Sequence, residues 1–224
     1  MHLHHYIYYF MVGIRLLLLI PFFLNYRFLN KEQKVIFIYA ITNAFMGVVL
    51  DTLARVFHNN MPFLTGMMLI QFFILTFFYR HVLKNPNARK ILNIMLVIST
   101  ILCIVDISFL EGPLFFNSIF VSFRTFLLII YGVIFFLQLM KDESLIEQSI
   151  YINELPAFWF NAGLFVALCC AFPLDLCFNY LQKTPPTDYT INLFRITAAL
   201  TWSGGVIQSI LFYIGLVKLK AARK

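Results

Sequence analysis

Charge is what this 224-residue chain has least of. Asp, Glu, Lys and Arg make up 12% of it and hydrophobic residues 61%, whereas soluble domains carry about a quarter charged residues and about half apolar ones. A water-soluble domain is excluded. Only nine Gly and eight Pro occur, and there is no polar low-complexity tract, so collagen-like, disordered and solenoid readings fall away. Cys103, Cys169, Cys170 and Cys177 lie in apolar stretches without metal-type spacing, which implies neither a disulfide framework nor a zinc site. They are expected to pack as small hydrophobes. Histidine is missing at membrane depth: His2, His4 and His5 sit at the N-terminus, His58 at a span end and His81 in a connector. Intramembrane haem would lack its axial ligands, and a Ser-His-Asp triad its base. The last span has no Lys for a retinal Schiff base. The expectation is no metal, no cofactor and no catalytic constellation.

What the chain has in quantity is long apolar runs, with 27 Phe and 11 Tyr among them. A spanning helix needs roughly 20 mostly apolar residues. Dividing the chain at its charged and turn-rich breaks gives seven spans near 6–25, 35–57, 62–80, 90–110, 114–140, 156–181 and 191–217. The first is no cleavable signal peptide, because Arg15 lies at its centre and Phe22-Phe23 at its end. The fold class expected is all-α, a single seven-helix transmembrane bundle over residues 1–224.

The basic residues orient it. Lys and Arg are retained on the cytoplasmic side of a membrane. Arg27, Lys31, Lys34, Arg80, Lys84, Arg89, Lys90, Lys141, Lys218, Lys220, Arg223 and Lys224 all fall on one face of a seven-span path, and the other face has only Lys183. An outside N-terminus and a cytoplasmic C-terminus follow. The net charge of +7 is then a topology signal. A nucleic-acid partner is not expected, since the connectors are too short to present a basic domain face.

Ionisable residues within spans are costly, at least ~2.5 kcal/mol each on insertion scales, and usually face a bundle interior. There are seven: Arg15, Asp51, Arg55, Asp106, Arg124, Asp175 and Arg195. On span 2, Asn43, Gly47, Asp51 and Arg55 follow at intervals of four, so they share a stripe and Asp51 can pair with Arg55. On span 5, Asn117, Arg124, Tyr131 and Gln138 recur every seventh residue, a stripe that drifts only ~20° per heptad. Ser99, Cys103 and Asp106 share a side of span 4, and Asn161 and Asp175 a side of span 6. The stripes predict a polar cavity between helices, open toward the outside. Four Arg against three Asp leave one positive charge unmatched, and a guanidinium fork suits a carboxylate or phosphate. The candidate ligand-binding set is Arg15, Asp51, Arg55, Asp106, Asn117, Arg124, Asp175 and Arg195, for a small anionic or lipid-derived molecule. Structural ion pairs between helices are the alternative.

Pro173 and Gly204-Gly205 allow helix kinks or close helix contact. The connector from Lys141 to Leu155 is acidic, through Asp142, Glu143, Glu147 and Glu154, and loosely amphipathic through Leu145, Ile146, Ile150 and Ile152. It can dock a signalling partner or cover its own bundle.

Leu155-Pro156-Ala157-Phe158-Trp159-Phe160-Asn161-Ala162-Gly163 at the start of span 6, preceded by Phe116-Asn117-Ser118 and Arg124, resembles a group of short bacterial seven-span proteins with a P-x-F-W-x-N-x-G signature. The resemblance covers roughly residues 60 to 217 in the order of elements. It implies a bacterial inner-membrane protein with a loose association with two-component signalling. It marks Trp159, Asn161 and Gly163, with Asn117 and Arg124, as family positions. Members often carry an acidic residue where this chain has Gln71.

The function expected is a non-enzymatic sensor or accessory signalling module in the lipid bilayer, dependent on a cytoplasmic or membrane partner for output. Three other readings compete with it. A lipid hydrolase would use Asp51, Asp106 or Asp175 as acid and base. A transporter would show repeat symmetry and broken helices. A structural subunit would co-purify with a larger complex.

Overall fold

A computed structural model describes residues 2–143 and 151–221, and every regular element in them is helical. Seven long helices run α1 (His2–Leu24), α2 (Lys31–Phe57), α3 (Met61–Val82), α4 (Pro86–Val105), α5 (Ser118–Met140), α6 (Pro156–Lys183) and α7 (Asp188–Ala221). The π-helical turn Asp106–Leu110 extends α4. Of these, α2 to α7 are long and apolar enough to cross a membrane, and Tyr8–Leu24 of α1 is a further apolar stretch. The chain thus has the build of a multi-pass membrane protein.

Several helices begin earlier than the apolar runs do, because polar caps rather than the edge of hydrophobicity start a helix. The Gln33 side chain accepts from the Asn30 N–H at 2.8 Å, so α2 starts at Lys31 instead of residue 35. Asn85 accepts from the Asn87 N–H at 2.9 Å and Pro86 fills the first turn of α4, where its missing N–H costs nothing. In contrast, α5 begins at Ser118, four residues later than hydropathy suggests. Residues 111–117 are folded into a corner that supplies its caps.

Short connectors make successive helices antiparallel. Contacts run α1–α2–α3–α5–α6–α7 and back to α1, a closed ring of six helices. Helix α4 packs on α3 and α5 from outside, and Ile91, Ile94, Val97, Ile98, Ile101 and Ile104 on it are exposed. Such an apolar face suits lipid.

Two features hold the ring. At the end bearing the basic connectors, Phe22, Phe37, Phe160 and Phe212 form an aromatic plug from four helices. Phe22 stacks on Phe37 at 5.4 Å and Phe160 meets Phe212 edge-on at 5.6 Å. Between α6 and α7, glycine lets the backbones close in: a Cβ at Gly163 would lie 2.9 Å from the Phe212 ring, and one at Gly204 2.6 Å from the Cys170 Cβ. With little hydrophobic drive between helices inside a bilayer, such close packing is a main source of cohesion. Helix α6 continues through Pro173. Of the acidic connector, residues 144–150, including Leu145, Ile146, Glu147 and Ile150, lie outside the described residues.

Candidate ligand cavity

Inside the ring is a cavity of about 240 Å³, bounded by α1, α2, α3, α5, α6 and α7 together with Phe116. It occupies the half of the bundle away from the aromatic plug. Leu50, Leu64, Phe116 and Phe178, all near that end of their elements, line it. The plug closes the opposite end. A smaller void of about 10 Å³ lies between Arg15, Tyr39, Asn43 and Gln208.

Much of the wall is soft and apolar: Met11, Met46, Met68, Leu168, Leu174 and Trp202. Thioether side chains adapt their shape to a guest more readily than branched ones. Set into this wall are Arg15 from α1, Arg124 and Thr125 from α5, Asp175 from α6, and the neutral groups Tyr39, Asn43, Gln71 and Gln208. Arg124 is only 5% exposed and Asp175 8%.

The hydrogen bonds leave the cations short of partners. Thr125 donates to the Asp175 carboxylate at 2.7 Å, which satisfies part of that charge. Gln208 donates to the Tyr39 hydroxyl at 3.4 Å, and Asn43 to Gln208 at 3.5 Å. Arg124 donates through Nη1 to the Met68 sulfur, a weak acceptor. Nε of Arg15 and Nε of Arg124 are buried without a partner. Both ion pairs among the described residues, Arg55–Asp51 at 3.0 Å and Lys84–Asp142 at 2.6 Å, lie elsewhere. The cavity therefore holds two guanidinium groups and one carboxylate, with no ion pair closed between them.

Of the sequence-predicted set, Arg15, Arg124 and Asp175 come together. The other five do not. Asp51 pairs with Arg55 as the spacing predicted, but this pair sits one turn beyond Gly47 on the surface, joined by the Tyr9 hydroxyl. Arg195 is exposed; it precedes Gly204 by nine residues, about two and a half turns, which puts it on the far side of α7. Asp106 is fully buried but serves the corner: it accepts from the Phe120 N–H at 2.9 Å. Glu111 takes the Ile119 N–H at 3.3 Å and the Ser118 hydroxyl at 2.6 Å, and Asn179 donates to it. Two carboxylates thus cap α5. Asn117 accepts from Thr65 at 2.8 Å and donates to the Gly112 carbonyl at 3.1 Å, fastening the same corner to α3. Asp51, Asp106 and Asp175 stand at three separate places.

The motif residues of α6 are packing groups. Buried Asn161 accepts from the Tyr79 hydroxyl at 2.9 Å and donates to the Gly132 carbonyl at 3.2 Å, joining three helices. Trp159 donates to the Asn153 carbonyl at 2.7 Å, and Gly163 makes room for Phe212. Of the neutral groups of the cavity, Asn43 lay on the stripe read from the sequence, whereas Tyr39 and Gln208 were missed. Tyr39 continues the Asn43-Gly47 stripe one turn earlier, and Thr197, Thr201, Gly205 and Ser209 form a small-residue stripe beside Gln208, so both had a periodic signal.

No protein-family model, curated protein or solved structure matches this chain.

Proposed function

We propose that this protein is a seven-span sensor or accessory signalling module whose central cavity binds a small amphiphilic anion, lipid-derived or free. The carrying observation is the charge count at the cavity: Arg15 and Arg124 against Asp175 alone. A buried cation without a counter-charge is expensive, and an incoming carboxylate or phosphate would relieve that cost with charge-assisted hydrogen bonds. The methionine-rich wall favours an anion with an apolar part. The volume, below the about 300–1,000 Å³ of sites for drug-sized ligands, favours a headgroup or short-chain acid over a whole two-chain lipid.

In this proposal α1 also crosses the membrane, the N-terminus is outside, the C-terminus is cytoplasmic, and the cavity faces outward. Membership of the bacterial seven-span group and residence in a bacterial inner membrane belong to the same reading. The aromatic plug would make the cavity one-sided, as befits a receptor site. Output would pass to a partner on the basic face, and crosslinking in the native membrane that finds no partner there would remove the signalling half.

The test of binding is native mass spectrometry of the protein released from lipid nanodiscs. A stoichiometric anion retained by the unaltered protein and by Arg195→Gln, but lost in Arg124→Gln and Arg15→Gln, is the expected result. Equal retention in all four proteins would reduce the cavity arginines to structural groups.

A further inference from the structure

We propose that the groove between the C-terminal end of α3 and the first turns of α4 is a headgroup site for an anionic phospholipid. It lies at the end of the bundle opposite the cavity and does not depend on the reading given for that cavity. The groove, about 550 Å³ in volume, is lined by Phe77, Arg80, His81, Arg89, Lys90 and Asn93, with Pro86 at its edge. Arg80 comes from α3, and Arg89 and Lys90 from α4, so three permanent cations converge from two helices. No carboxylate lines it. Asp142 is engaged by Lys84 at 2.6 Å, and neither ion pair among the described residues involves Arg80, Arg89 or Lys90.

Arg89 and His81 are positioned by the protein itself. Arg89 Nε donates to the Leu83 carbonyl at 2.7 Å. The His81 Nδ1 lies 2.8 Å from the Phe77 carbonyl, and its ring sits 4.3 Å from the Phe77 ring. Gln138 clamps the α3–α4 turn from behind, accepting from the Lys84 N–H at 2.7 Å and donating to the Val82 carbonyl at 3.0 Å. Fixing the turn in advance lowers the ordering cost of binding. One to two turns away along the same helices, Phe73, Ile94 and Val97 are exposed, an apolar wall continuous with the basic groove. A soluble anion would use only the charges. A phospholipid uses both halves, with phosphate at the arginines and acyl chains along Phe73 and Val97, the arrangement by which basic pockets between membrane helices hold anionic headgroups.

The experiment embeds the full chain in nanodiscs of phosphatidylcholine with a minority of phosphatidylglycerol and counts retained phosphatidylglycerol by native mass spectrometry. Two triple variants remove equal charge from the same face: Arg80→Gln/Arg89→Gln/Lys90→Gln, and Arg27→Gln/Lys31→Gln/Lys34→Gln. Arg80, Arg89 and Lys90 are exposed, so the first variant is expected to fold. Its affinity for phosphatidylglycerol should fall by about a hundredfold, given roughly a fivefold contribution from each of three basic residues at an anionic surface. The second should keep it, and added inorganic phosphate should not displace the lipid. Equal loss in both variants would reduce the effect to diffuse surface charge, no loss in the first would abolish the site, and displacement by phosphate would make the ligand a soluble anion.

Discussion

The Arg15 guanidinium packs against the bare backbone of Gly205, where an added methyl would stand 3.0 Å from Nη2 and 3.2 Å from the Met11 sulfur. Both neighbours are the far ends of flexible side chains, so they can yield without disturbing a backbone. Gly205→Ala should therefore fold, its stability within ~1 kcal/mol of the parent, since Ala is also the better helix former. Displacing the guanidinium should nevertheless weaken anion binding several-fold. Isothermal titration with whatever anion the native protein retains measures this. Unchanged affinity in a folded Gly205→Ala variant would show that Arg15 is not part of the binding surface.

Asp175 supplies the converse probe. Its carboxylate accepts from Thr125 at 2.7 Å, a bond that the Asn amide oxygen can keep. Asp175→Asn removes negative charge from the cavity with little change in shape. At an effective dielectric constant of about 20 the gain for an anion is expected near tenfold in affinity, or ~1.4 kcal/mol. Weaker binding of the anion in Asp175→Asn would mean that the carboxylate itself contacts the ligand as a proton donor or through a cation.

The corner at the start of α5 predicts a different pattern for Asp106. Its oxygen caps the Phe120 N–H at 2.9 Å, and an Asn can still accept that bond while an Ala cannot. Losing a cap costs about 1–2 kcal/mol. Asp106→Ala should melt a few degrees lower, Asp106→Asn should lie between it and the parent, and both should bind the cavity anion normally when folded. If Asp106→Asn abolished an enzymatic turnover while leaving the melting curve alone, the capping role would be the wrong account.

These cases also show where sequence periodicity stops. The spans were legible because hydropathy over some twenty residues needs no tertiary information. Arg124 was legible as the centre of a heptad stripe, and in the structure Asn117, Arg124 and Tyr131 are all buried. Arg195 was not, since one charge on α7 carries no phase of its own. Only its distance from Gly204, which packs on Cys170, shows that it faces away. Asp106 was placed in the cavity on the assumption that α4 belongs to the ring, whereas α4 packs outside it on α3 and α5. Glu111 looked like a connector residue because the π-helical turn that carries the chain toward Ser118 leaves no hydropathy signal.

The ring also makes a prediction about sidedness that labelling can read. Gln182 lies in the last turn of α6 at the cavity end, Asn87 lies in the first turn of α4 at the plugged end, and both are exposed. In a background with Cys103, Cys169, Cys170 and Cys177 replaced by Ala, single Gln182→Cys and Asn87→Cys variants present one thiol at each end. With the N-terminus outside, a membrane-impermeant maleimide added to intact cells should modify the thiol at 182 and reach that at 87 only after permeabilisation. The basic residues argue for this direction, because Arg80, Lys84, Arg89 and Lys90 flank Asn87 whereas Lys183 is alone near Gln182. Labelling with the opposite preference would invert the bundle, turn the cavity toward the cytoplasm, and make its anion an intracellular one.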